Sequence, residues 1–168
     1  VYLKEWTISQ YKILSGSGQI GLTITFFVWF VTVWIGQILS LPLIVMPDGM
    51  WWFLLVFFAV DFFATLLWSL KHLPPSIQGK ELITTGPYAW TRHPFYGAFI
   101  WSGTGIVVLL SRSWFVLFSV IPVSLFWVWA IINEEESMLR KFGDDYQKYL
   151  EETGQFFPKL KRSENKGQ

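Results

Sequence analysis

The sequence predicts an all-α integral membrane protein with about four transmembrane helices, arranged as two hairpins and followed by a cytoplasmic amphipathic helix. Three observations carry this. The composition is 52% hydrophobic and 20% aromatic, which leaves too little polar surface to cover a soluble globule of 168 residues. Four apolar runs, 22–46, 51–70, 95–110 and 114–132, lie near the roughly 20 residues that a crossing helix needs. Nearly all the cations fall on one side of those crossings.

The elements follow in order. Val1 to Gly21 lacks a short apolar core with a small-residue cleavage site, which predicts an interfacial segment at 1–21 rather than a signal peptide. Helices one and two occupy 22–70 and are joined by a tight connection at Met46–Gly49. A middle loop at 71–93 leads through Gly86–Phe95 into the third run, where Pro94 is tolerated in the first helical turn. Helices three and four occupy 94–132, turning at Ser111–Ser113. A five-helix arrangement, splitting the first run or recruiting the N-terminus, would move the N-terminus across but keep loop and tail together. The segment 133–158 sets Leu139, Phe142, Tyr146 and Tyr149 at three- and four-residue spacing between charges, the pattern of an amphipathic helix interrupted at Gly143. Residues 159–168 read as a disordered basic end. The whole is one domain, 1–168.

An even number of crossings puts both termini and the middle loop on one face. That face holds Lys4, Lys12, Lys71, Lys80, Arg92, Arg140, Lys141, Lys148, Lys159, Lys161, Arg162 and Lys166, whereas the other has only Arg112. The positive-inside rule makes the cation-rich face cytoplasmic. A net charge of +1 carries no nucleic-acid signature, and the basic tail is expected to meet membrane lipid headgroups. Without cysteine there is no thiolate metal site or cysteine nucleophile. The oligomeric state is not legible.

Two polar clusters converge on the cytoplasmic face: Thr84–Gly97 before and into helix three, and Asn133–Ser137 after helix four. An antiparallel hairpin brings Arg92, His93 and Tyr96 beside Glu134 and Glu135. Consecutive carboxylates at a membrane boundary need solvent or a partner, and the Arg and His supply one. Each residue alone reads equally well as an interfacial anchor, but the combination does not.

The string GPYAWTRHPFYG, then an apolar hairpin, then EEESMLRKFGDDYQKYLEETGQFFPKL resembles the isoprenylcysteine carboxyl methyltransferase family and its phospholipid methyltransferase relatives, over roughly the C-terminal half. The resemblance implies methyl transfer from S-adenosylmethionine to a lipophilic acceptor that approaches from the bilayer. It implies a cofactor site of Gly86, Pro87, Tyr88, Arg92, His93, Pro94, Tyr96, Glu134 and Glu135, with Arg92, Tyr96, Glu134 and Glu135 in catalytic positions and no metal. Arg92 and His93 suit the cofactor carboxylate. The two glutamates suit its ammonium or ribose hydroxyls, and Tyr96 lies one turn beyond Arg92, toward the sulfonium. Isoprenylcysteine carboxyl O-methylation is the acceptor chemistry the resemblance implies first. Phospholipid or small-amine N-methylation and thiol S-methylation are the alternatives, because family members acting on prenylcysteine resemble one another in an Arg shortly before the paired glutamates, where Ala130, Ile131 and Ile132 stand here.

Asp61, in the middle of the second run, is a substrate-side candidate, or else is hydrogen-bonded to a neighbouring helix. Gly103 and Gly105 suit close helix packing, and Pro122 a kink in helix four. Two further functions rank below methyl transfer. NADPH-dependent sterol reductases resemble the family in their C-terminal region, and His72 with His93 would be the ligands of a haem or scaffold protein.

Overall fold

Apolar continuity decides where the helices run, and proline follows closely where the first two stop. The computed structural model describes residues 2–74, 76–77 and 79–159, with side chains from Gly18 onward. The basic end read as disordered falls, from residue 160, outside the described residues, as does Pro75.

Five helices make up the described chain. Helix α1 spans Tyr2–Ile38 and α2 spans Asp48–His72. Helix α3 spans Pro94–Ser111, α4 spans Trp114–Phe142 and α5 spans Asp144–Glu152. Four of them (α1 over Gly18–Ile38, then α2, α3 and α4) are long and apolar enough to cross a membrane. This is the all-helical, four-span architecture that composition and periodicity predict.

Two boundaries differ from the sequence reading. The first apolar run was expected to be helical to Met46, but α1 ends at Ile38 and the chain turns at Ser40, which takes a left-handed φ of 48°. Pro42 explains this, since the residue before a proline avoids the helical region and proline itself offers no N–H. The released segment folds over the far end of the bundle, where the Ile44 amide donates to the Arg112 carbonyl at 2.7 Å. At the other end, residues 1–21 are not a separate surface element. From Tyr2 they are helical and continuous with the first crossing.

Helix α3 starts at Pro94, where a missing N–H costs nothing, and widens into a π-helical turn over Phe99–Gly103. Helix α4 is interrupted at Ser119 and again at Ile131. The first break lies three residues before Pro122, whose missing N–H leaves the Phe118 carbonyl without its helical donor. Past Ile131 the helix continues to Phe142, so the first part of the expected tail helix is the end of α4. Gly143, at φ 53°, redirects the chain into α5.

Indole-to-hydroxyl bonds tie the helices where no water competes. Trp29 Nε1 of α1 donates to Thr104 Oγ1 of α3 at 3.1 Å, and Trp127 Nε1 of α4 donates to Thr25 Oγ1 of α1 at 2.9 Å. Gly103 and Gly105 let α3 approach closely: a methyl group on Gly103 would meet the Trp29 ring at 2.8 Å, and one on Gly105 the Phe58 ring at 2.8 Å. Tyr96, Ile100, Val123, Trp127 and Ile131 form the buried core at the motif-bearing end, with the Tyr96 and Trp127 rings stacked at 4.3 Å.

Candidate active site

The end of α4 and the start of α3 form an antiparallel pair, so the residues just before α3 meet those ending α4. Glu135 is the hub. Its Oε1 accepts from Arg92 Nε at 2.9 Å and from His93 Nε2 at 3.1 Å. A carboxylate only accepts, so the second bond uses the Nε2–H form of His93. Arg92 is 11% exposed and His93 7%, so both bonds to Glu135 are shielded from solvent.

The chain after α5 completes the arrangement. Arg92 Nη1 donates to the Thr153 carbonyl and, at 3.4 Å, to the Leu150 carbonyl, both at the C-terminal end of α5 where helix carbonyls lack amide partners. The backbone amides of Arg92 and His93 donate to the Gly154 and Gln155 carbonyls at 2.9 and 3.1 Å. A strap at 153–157 therefore runs beside Thr91–His93, with Phe157 packed on Trp101 and Phe156 beside His93. Tyr149 donates its phenol proton to the Tyr88 carbonyl at 2.6 Å, joining α5 to the short 3₁₀ turn Gly86–Ala89.

Beside this network lies a cavity of about 410 Å³, within the size range of small-ligand sites. Tyr88, Arg92, His93, Tyr96 and Glu134 line it, whereas Gly86, Pro87, Pro94 and Glu135 do not. Glu135 instead fixes two residues that do. Gly86 has φ 62°, and a methyl group there would press on the His72 ring at 2.5 Å; Pro94 opens α3. Glu134 reaches the cavity with its Oε2 accepting from the Tyr96 hydroxyl at 3.3 Å. Asp61 lies elsewhere. It accepts from Ser102 Oγ of α3 and sits nine residues, about 13 Å, along α2 from Leu70, which lines the cavity.

Several lining residues escaped the sequence reading as site residues. Tyr146 and Tyr149 were assigned only to an amphipathic face, yet that face closes the cavity. Burial pushes the phenols of Tyr88, Tyr146 and Tyr149 well above the usual tyrosine range, so they remain proton donors at neutral pH. Gly18 of α1 and Glu81 of the middle loop also line it, and neither sits in a recognisable motif. Among the described residues, no group of three His, Cys, Asp or Glu side chains is placed to hold a metal.

The pattern has known counterparts. A model of the isoprenylcysteine carboxyl methyltransferase (ICMT) family matches residues 55–141. The chain belongs to this family. Over 84 residues it is 36% identical to the protein-S-isoprenylcysteine O-methyltransferase of Schizosaccharomyces pombe, covering 48% of this chain and 35% of that protein. Over 92 residues it is 30% identical to the Saccharomyces cerevisiae protein of the same name, covering 54% and 38%. Over 96 residues it is 34% identical to the nickel-cobalt-cadmium resistance protein NccN of Alcaligenes xylosoxydans xylosoxydans, covering 56% and 43%. The chain therefore matches less than half the length of each of these three proteins. As a family member with four apolar spans it is a multi-pass membrane protein, and the match takes in the cavity wall from Leu70 to Met138 but not the strap or α5.

Proposed function

We propose that this chain binds S-adenosylmethionine in the 410 Å³ cavity and transfers its methyl group to a lipophilic acceptor, in the manner of isoprenylcysteine carboxyl O-methylation. The observation that carries this reading is the cavity wall itself. It joins a guanidinium and an imidazole, both fixed by Glu135, to the carboxylate of Glu134 and to four tyrosine rings. The cofactor bears a carboxylate, an ammonium, ribose hydroxyls and a sulfonium, and this donor set answers each. Arg92 and His93 suit the carboxylate, Glu134 the ammonium or ribose hydroxyls, and the electron-rich faces of Tyr88 and Tyr96 the sulfonium.

When bound, the cofactor supplies an activated methyl group. The protein's own part is to hold Arg92 rigid, exclude water with the α5 tyrosines and orient the two reactants. A carboxylate acceptor needs no protein base. Leucines on α1 and α2, Leu22 and Leu70, line the cavity and offer the acceptor's apolar portion a path from the bilayer. The cation-rich face is assigned to the cytoplasm by the positive-inside rule.

The names of the two yeast relatives favour a prenylated cysteine as acceptor, whereas the apolar stretch Ala130–Ile132 keeps amine and thiol acceptors as the second reading. Calorimetric titration of the detergent-solubilised chain with S-adenosylhomocysteine tests the cofactor. Saturable binding that Arg92→Ala abolishes in a folded variant is expected, and no binding by the folded wild type rejects the proposal. Methyl transfer to prenylated cysteine, compared with a lipid amine and a lipid thiol, then identifies the acceptor.

A further inference from the structure

Two carboxylates line the cavity, Glu134 and Glu81, and the cofactor contacts assigned above use only the first. Glu81 belongs to the middle loop and lines the cavity together with Gly79, Leu82 and Ile83. The loop reaches this position through two turns. The Ile77 amide donates to the Pro74 carbonyl at 3.0 Å and the Lys80 amide to the Ile77 carbonyl at 2.9 Å, after which Gly79 takes a left-handed φ of 68°. Lys141 of α4 pins the loop by donating to the Gly79 carbonyl. Both lysines that bond to the loop are therefore occupied away from Glu81, because Lys80 Nζ donates to the Ser76 carbonyl at 2.7 Å. Among the described residues, no ion pair is made to Glu81.

Given that S-adenosylmethionine occupies the cavity, we propose that Glu81 receives its α-ammonium group and that Glu134 is left to the ribose hydroxyls. The wall then answers the amino-acid end of the cofactor charge for charge. Arg92, beside His93, meets the carboxylate, and Glu81 meets the ammonium borne on the same carbon. Glu134 is committed differently: its Oε2 already accepts from the Tyr96 hydroxyl at 3.3 Å, a neutral donor of the kind that ribose presents. An ammonium group is a compact full charge with three donors, and it is best met by a carboxylate whose acceptor sites are free. Glu81 is such a group, exposed and carried on a loop between α2 and α3. Its carboxylate also discriminates, because a ligand with the adenosyl and carboxylate groups but no amine would leave it without a partner.

Calorimetric titration of the detergent-solubilised full chain with two ligands isolates this contact: S-adenosylhomocysteine and its desamino analogue, in which hydrogen replaces the α-ammonium. The wild type is expected to prefer S-adenosylhomocysteine by about tenfold, as one charge-assisted hydrogen bond at an exposed carboxylate supplies. Glu81→Gln is expected to lose that preference, with weaker binding of S-adenosylhomocysteine and no weakening for the analogue. Glu134→Gln is expected to weaken both ligands while keeping the preference between them. Thermal unfolding checks that each variant is folded; Glu81 makes no ion pair whose loss would destabilise the chain. No binding of either ligand by the folded wild type would reject the cofactor reading itself. Binding of S-adenosylhomocysteine with a preference that survives Glu81→Gln, that disappears in Glu134→Gln instead, or that was absent in the wild type would overturn the assignment of Glu81 alone. Equal weakening of both ligands by Glu81→Gln would overturn it too, since the carboxylate would then serve a part of the cofactor common to both.

Discussion

Arg92 and His93, adjacent in sequence, converge on a single oxygen of Glu135, 43 and 42 residues away, at 2.9 and 3.1 Å. Two donors on one acceptor atom make that carboxylate the point where α3 and α4 are locked together. Its partners on the cavity wall inherit their positions from it.

Glu135→Gln tests the lock. The amide keeps the shape but loses the charge and leaves a shielded guanidinium facing a neutral group. Loss of a buried ionic partner costs about 3 kcal/mol, the low end of the usual range because Glu135 is 17% exposed. A matching fall in thermal stability and weakened S-adenosylhomocysteine binding are expected together. Unchanged stability would remove Glu135 from its structural role.

Tyr96→Phe separates Glu134 from its hydrogen bond without disturbing the Tyr96–Trp127 stack. The expected stability change is about 1 kcal/mol or less, the net worth of one hydrogen bond. Cofactor binding is expected to fall by more than stability does, because the freed carboxylate no longer holds its orientation at the cavity. Binding and melting curves measured side by side check this.

Part of this organisation was legible in the residues themselves. The four crossings follow from apolar run length, and the meeting of Arg92 and His93 with Glu135 follows from the hairpin between them. The end of α1 was misread because the run 22–46 is uniformly apolar and hydropathy is blind to Pro42 as a helix stop. The strap at 153–157 was invisible for a different reason: it binds through backbone carbonyls, which any sequence supplies. Tyr146 and Tyr149 showed their spacing but not which surface they would cover.

The tyrosines predict an alkaline limit. Burial raises the phenols of Tyr88, Tyr146 and Tyr149 above the ordinary value of about 10, so the folded state keeps protons that the unfolded chain releases. The stability they support is whole below pH ~10 and lost as pH rises beyond it. Phenolate absorbance near 295 nm is expected to rise for these residues only together with helix loss by circular dichroism. Ionisation without unfolding would show them accessible.

Gly154→Ala tests whether the strap organises the cavity from outside it. A methyl group at this position would collide with the Phe157 carbonyl oxygen, a backbone atom that cannot swing aside as a side chain does. The strap must therefore shift, carrying with it the Gly154 and Gln155 carbonyls that receive the Arg92 and His93 amides and the Thr153 carbonyl that receives the guanidinium. Helices α1 to α4 make none of these bonds through Gly154, so helical content is expected to stay near that of the wild type. Cofactor-product binding is expected to fall about tenfold, equivalent to about 1.4 kcal/mol. A shift in Trp101 fluorescence, as Phe157 leaves its ring, would mark the same displacement. Binding that persists undiminished despite a displaced strap would mean that Glu135 alone suffices to set Arg92.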